Sequence, residues 1–344
     1  MTVGGRVSGQ RERITIRQVA ALAGVSIATV SRVVNGHADV SLQTREAVQQ
    51  VIREHGYQAV PRGRPAPTGM IGVTMPFVQS GYFGEILSGA AEALYEQDRQ
   101  VVLCPTRHSR ARELSLLDRL SQGETDGAVL VLPDESATEL QALAGQGFPF
   151  VVVDPLTDMP EGIPVVCAAH SSGATQATRH LLELGHRRIG AITGPAGWLA
   201  TEQRLSGYHA ALAGAGVLPD AGLVAAADFK VASGREAALQ LLRQAAPPTA
   251  IFAFNDSMAV GAVQAAAGLG LRVPGDLSVV GFDDTAEAEN AMPALTTIRQ
   301  PLAELGRTAV SLLLRQIENK RFEPLRVELE TRLVVRGSTA APAR

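Results

Sequence analysis

Residues 14–36 read ITIRQVAALAGVSIATVSRVVNG. Val19, Ala20 and Ala23 recur at helical spacing, and Gly24 breaks the pattern. Ser26 stands where its hydroxyl can accept from a free backbone N–H and cap a second helix. Val25, Val30 and Val33 supply apolar groups that pack the two helices together, while Thr29, Ser31, Arg32 and Asn35 stay polar. Two short helices joined by a turn, the second rich in hydroxyls, have the layout of a helix-turn-helix whose second helix enters the major groove of DNA.

Working outward, SLQTREAVQQVIREH (residues 41–55) predicts a third helix, with Ala47, Val48, Val51 and Ile52 as its apolar stripe and Gly56 as its stop. Residues 1–13 have no periodicity and read as a disordered arm, so the helical head spans residues 14–57. Residues 58–69, QAVPRGRPAPTG, carry Pro61, Pro65 and Pro67, which remove donors and fix φ, and read as a linker.

Charge follows this division. Residues 1–64 hold nine arginines and four acids, a balance of +5; the other 280 residues hold 22 basic and 30 acidic side chains, a balance of −8. A basic head on an acidic body suits a nucleic-acid reader attached to a domain that does not bind it. The 344 residues, 46% hydrophobic and 19% charged, provide core for two or three domains. No apolar run reaches membrane-spanning length and no signal-peptide core stands at the N-terminus, so a cytoplasmic protein without membrane partners is expected. Cys104 and Cys167 lie in apolar runs and read as buried strand residues, with neither disulfide nor metal spacing.

From Met70 the rhythm becomes strand and helix in alternation. MIGVTMPF, RQVVLCPT, DGAVLVLP and PFVVVDP are apolar strands, and after a crossing near residues 165–168 RRIGAITG, TAIFAFN and LSVVGFDD begin a second set. Continuous apolar runs suit parallel strands buried on both faces. The expected fold is an all-α helix-turn-helix head plus an α/β core, residues 70–341, of two doubly wound subdomains with a cleft beyond the carboxyl ends of their strands.

With VAALAGVSIATVSRVVNG, EHGY, HLLELGHRRIGAITGP, RLSGYHAAL, NDSMAVGA, GLRVPGDLSVVGFDD and PALTTIRQP in this order, the chain resembles the LacI/GalR family of bacterial transcription regulators over residues 14 to about 338. The resemblance implies a core like that of periplasmic sugar-binding proteins, with an N-subdomain of about 70–168 and 298–325 and a C-subdomain of about 169–297 and 326–341. It implies a homodimeric repressor of carbohydrate-utilisation genes on a pseudo-palindromic double-stranded operator. It places Ile27, Ala28 and Arg32 at base-reading positions, with Thr15, Ser26, Thr29, Ser31 and Asn35 at backbone-positioning ones. Around the cleft it places Tyr82, Phe83, Asp154, Trp198, Arg204, Phe229, Asn255 and Asp283. Fixed polar donors and acceptors beside aromatic faces suit a sugar.

Two departures from the family pattern matter. The linker is about three residues shorter than the usual hinge and lacks its leucine, so Arg62 and Arg64 are expected to enter the minor groove as an extended arm. Purine-binding members carry arginine and threonine where Trp198 and Ala200 stand here, which favours a sugar or sugar derivative as effector. The tail GSTAAPAR has no leucine heptad, so a tetramer is not indicated. Asp283 and Asp284 form a carboxylate pair with no His or third acid at ligand spacing; no metal and no cofactor are expected. Control by a phosphorylated partner protein, or by a non-sugar ligand, remains an alternative. A sugar-processing enzyme is a remote one: no nucleophile elbow or phosphate-cradling glycine motif is present, and His170, His180, His186 and His209 are scattered.

Overall fold

The computed structural model describes residues 16–34, 40–55, 67–318, 323 and 325–343. By internal contacts the chain divides into two units, residues 1–66 and 67–344.

In the first unit, α1 (Ile16–Leu22), α2 (Ile27–Val34) and α3 (Leu42–His55) enclose a small core of Val19, Ala20, Val30, Val33 and Val48. Gly24, at φ +66°, makes the turn after α1, a conformation that strains any residue with a Cβ. The Ser26 hydroxyl accepts from Thr29 N at 3.1 Å, and Ser41 caps α3 in the same way, accepting from Thr44 N at 3.2 Å. Ala47, expected on the inner stripe of α3, is exposed; Val48, Val51 and Ile52 face inward.

The second unit begins with β1 (Met70–Met75), α4 (Gly81–Tyr95), β2 (Gln100–Pro105), α5 (Arg110–Arg119), β3 (Gly127–Val131), α6 (Ala137–Gly145), β4 (Phe150–Val153) and β5 (Val165–Ala168). The chain then crosses into α7 (His170–Glu183), β6 (Ile189–Thr193), α8 (Leu199–Gly214), β7 (Val224–Ala226), α9 (Val231–Leu242), β8 (Ala250–Ala253), α10 (Asp256–Gly268), β9 (Ser278–Val280), α11 (Ala286–Asn290) and β10 (Thr297–Arg299). It closes with α12 (Leu302–Glu318), β11 (Arg326–Leu329) and β12 (Arg332–Val334).

Two parallel sheets result, ordered β11-β5-β4-β3-β1-β2 and β7-β6-β8-β9. Side chains of the first sheet alternate between two buried clusters: Val129, Val131, Val151 and Val153 pack towards α4 and α12, whereas Ala128, Leu130, Phe150 and Val152 pack on the opposite face. Burial on both faces is why these strands read as unbroken apolar runs. The antiparallel pair β10–β12 runs beside the places where the chain passes between subdomains.

One expected boundary needs correction. The family resemblance places residues 326–329 in the C-subdomain, but they form β11, which pairs in parallel with β5 from Arg326↔Val165 to Leu329↔Ala168. The last crossing therefore falls after Leu329. An edge strand with alternating charges gives no apolar run to read.

Helices α4 and α12 approach closely because each offers a glycine. A Cβ on Gly89 would lie 1.9 Å from the Ala303 carbonyl oxygen, and one on Gly306 would lie 2.1 Å from that of Ile86. Gly89→Ala is expected to destabilise the core by about 1–3 kcal/mol, since backbone must move to admit the methyl. Urea unfolding checks this, and an unchanged midpoint would contradict it.

Candidate functional site

The loops that follow the carboxyl ends of both sheets surround a cavity of about 470 Å³. Phe77 follows β1, His108 follows β2, Asp154 follows β4, Trp198 precedes α8, Phe229 follows β7, Asn255 precedes α10 and Asp283 follows β9. Arg107, His108, Leu132, Asp154, Phe229, Asp283 and Asp284 all have positive φ, so the strained non-glycine backbone of the described residues gathers at these strand ends, with Asp98 as the exception. Such strain persists where surrounding contacts over-determine the conformation, and it aims these side chains at the cleft.

The cavity floor is a buried polar chain crossing between subdomains. The Tyr82 hydroxyl donates to Asp154 Oδ2. Asp154 Oδ1 also accepts from Ala168 N at 3.2 Å and lies 3.3 Å from His170 Nε2. Arg204 donates to His170 Nδ1 across 3.2 Å. A guanidinium only donates, so Nδ1 of His170 is the acceptor and Nε2 carries the proton given to Asp154. Arg204 also donates to the Phe254 carbonyl, stacks 3.9 Å from the Phe282 ring centroid and lies 3.7 Å from Asp283 Oδ1. Its Nε is buried without a hydrogen-bond partner. Gln300 donates to Asp283 at 2.6 Å.

This arrangement separates the two carboxyls. Burial would raise Asp154, but His170, Tyr82 and Arg204 outweigh it and hold the carboxylate below its usual range. Burial pushes Asp283 up to about 7 despite Arg204 and Gln300, with Asp154 adding repulsion. The floor thus offers a fixed cation, a fixed carboxylate and a carboxyl poised near neutrality.

All eight cleft residues expected from the sequence line this cavity, though not equivalently. Phe83 is 8% exposed and mostly packs inward, edge-on to Tyr82. Asn255 accepts from Met258 N at 2.9 Å and donates to the Phe229 carbonyl at 3.1 Å, so it caps α10 and anchors the Phe229 loop while keeping one N–H. The Phe229 ring lies where a Cβ on Gly194 would be, 2.1 Å from its Cζ. Phe77, His108 and Lys230 also line the cavity and Gln300 supports its floor, none of them marked by a motif in the sequence, and His170, which reads there as a scattered histidine, is part of the floor. Among the described residues no group of three or more His, Cys, Asp or Glu could hold a metal ion.

In the head, Ser26, Ile27 and Arg32 are exposed on or beside α2, with Ile27 at 45% despite its apolar side chain. Thr29 is half-buried, its hydroxyl 2.8 Å from that of Ser26. Ala28 and Ser31 lie on α2, but their side chains are outside the described set; Thr15, Asn35, Arg62 and Arg64 lie outside the described residues altogether.

Residues 15–59 match the profile of the lacI family of bacterial regulatory proteins, and residues 178–339 match that of the periplasmic binding protein-like domain. The transcriptional regulator CelR of Thermobifida fusca is 38% identical over 338 residues, covering 96% of this chain and 99% of its own. This chain belongs to the LacI family. As a LacI-family protein it is a DNA-binding transcriptional regulator and not an enzyme, with a helix-turn-helix and a periplasmic-binding-protein-like core. Among solved structures, a CelR–cellobiose complex aligns with a TM-score of 0.75 at 37% identity over 95% of this chain and 100% of that one. The lac repressor dimer bound to operator and an anti-inducer aligns with a TM-score of 0.72 at 29% identity over 96% of this chain and 100% of that one. Among the described residues of this LacI-family chain, no helix is long and apolar enough to cross a membrane.

Proposed function

We propose that this chain represses transcription as a homodimer on a pseudo-palindromic operator, and that a small saccharide in the core cavity releases it. The observation that carries the effector reading is the convergence of Asp154, Arg204 and Asp283, all buried, with the rings of Trp198 and Phe229 in one cavity between the two subdomains. Hydroxyls meet planar donors and acceptors on the floor, and the C–H face of a pyranose meets the rings. Cellobiose in the CelR structure supports a sugar here. In this reading Ile27 and Ala28 offer apolar contact to thymine methyls, Arg32 reads a base, and Ser26, Thr29, Ser31, Asn35 and Thr15 hold phosphates, with Arg62 and Arg64 in the minor groove. Saccharide binding closes the cleft, rotates one subdomain against the other and changes the half-site spacing available to the two heads.

A thermal-shift screen of the purified chain against neutral saccharides tests the effector. A ligand at a hundred times its dissociation constant adds roughly 2.7 kcal/mol of stability, enough for a clear rise in melting temperature. A panel that leaves the melting temperature unmoved would sink the sugar reading.

Asp283 adds a pH dependence. Its raised pKa means that between pH 3.8 and about 7 the folded chain holds a proton the unfolded chain has lost. Its contribution to stability therefore falls as pH rises through that window. Sugar hydroxyls donate to the ionised carboxylate, so binding near neutrality releases a proton and affinity drops as the pH is lowered from about 8 to about 6. Calorimetry in two buffers of different ionisation enthalpy reads that proton directly; binding with no proton exchange would contradict it.

A further inference from the structure

Beyond the polar floor, the cavity carries a second feature on its rim. Phe77 and His108, from the first subdomain, continue the aromatic surface of Trp198 and Phe229 from the second. Phe77 lies 5.3 Å from His108, His108 lies 5.7 Å from Trp198, and Trp198 lies 5.6 Å from Phe229, centroid to centroid. Each step is within the range of ring–ring contact. The outer end of this row is open: Phe77 is 40% exposed and the His108 side chain 31%. The floor, by contrast, is closed, with side-chain exposures of 4% at Asp154 and Arg204 and 9% at Asp283.

The rim rings are held in place. His108 has φ +51°, and its Nδ1 lies 3.3 Å from Asp134 Oδ1; the carboxylate accepts, so Nδ1 carries the proton and the imidazole is oriented. Lys230, the lysine that lines the cavity, is engaged by Asp228. The rings are tilted to one another, by 73° between Phe77 and His108, 52° between His108 and Trp198 and 37° between Trp198 and Phe229, so the rim offers an aromatic wall of mixed faces and edges, which suits the C–H surface of a neutral sugar better than a phosphate. At about 470 Å³ the cavity falls within the range of roughly 300–1,000 Å³ typical of small-molecule pockets.

Resting on the saccharide reading above, we propose that Phe77, His108 and Trp198 form a second sugar subsite, so that the effector is a neutral disaccharide or longer oligosaccharide. One ring is bound by hydrogen bonds at the floor. The next stacks on the rim, joining the two subdomains through His108 and Trp198. Chain length is then a specificity determinant, because a monosaccharide fills the floor and leaves the rim rings in water.

Isothermal titration of the full chain with D-glucose, D-galactose, cellobiose, maltose and lactose tests this. At least one disaccharide is expected to bind tenfold or more tightly than either of its component monosaccharides. In the Phe77→Ala/His108→Ala double variant that ratio is expected to collapse to near one, and His108→Phe, which restores a ring, is expected to recover it. A monosaccharide that binds as tightly as every disaccharide containing it overturns the second subsite and leaves the sugar reading standing. A ratio untouched by the double substitution overturns it as well. If none of the five sugars binds, the subsite and the sugar reading fail together.

Discussion

Arg32→Ala is expected to weaken operator binding by roughly 10- to 100-fold per half-site and to erase base preference at one position, since a bidentate arginine–guanine pair is worth about 1–3 kcal/mol. Arg32 is exposed in the last turn of α2, and its neighbours at the start of that helix are the apolar Ile27 and Ala28, which offer no hydrogen bond to a base edge. A dimer carries the residue twice, so the loss compounds across the operator. Binding to a set of operators varied one base pair at a time separates the possibilities. A loss confined to the preferred sequence identifies a base contact. A uniform loss with a shallower salt dependence would instead make Arg32 a phosphate contact.

The second large effect belongs to the cavity floor. Arg204→Met is expected to weaken saccharide binding by a hundredfold or more, so that the variant remains on its operator at sugar concentrations that release the parent chain. Arg204 is 4% exposed and touches Asp283, His170, the Phe254 carbonyl and the Phe282 face at once. Methionine fills part of the volume but provides no donors, and the Asp283 carboxyl then stands buried without its cation. Calorimetry with the best saccharide from the screen reads the loss. An affinity within threefold of the parent would remove Arg204 from the ligand site.

Features governed by local rules were legible in the sequence. The head could be read because Gly24, Ser26 and the 3.6-residue spacing of its apolar residues act within a few positions of one another. The buried strands could be read because burial on both faces leaves an apolar run. β11 could not: Arg326 and Glu328 alternate with Val327 and Leu329 on a sheet edge, and its place is set by pairing with β5 more than 150 residues earlier. The cavity shows the same division. Its eight expected residues came from a family resemblance and do line one space. What distinguishes Arg204 from Asn255 is hydrogen bonding across the fold, which leaves the Arg204 Nε without a partner and commits Asn255 to a helix cap and a loop. His170 and Gln300 act through partners that only the tertiary structure brings near, and His108 reaches the rim because the backbone after β2 takes positive φ.

The proposed coupling of a DNA-reading head to a saccharide cavity in one chain is read by operator affinity with and without sugar. Duplexes selected by the full-length protein from a randomised pool supply the operator, and fluorescence anisotropy at fixed salt supplies the dissociation constant. A pseudo-palindromic sequence should be selected, and a saturating saccharide should weaken its binding at least tenfold, a coupling of about 1.4 kcal/mol. Selection of a sequence without two-fold symmetry, or an affinity unmoved by a sugar that demonstrably binds the core, would contradict it.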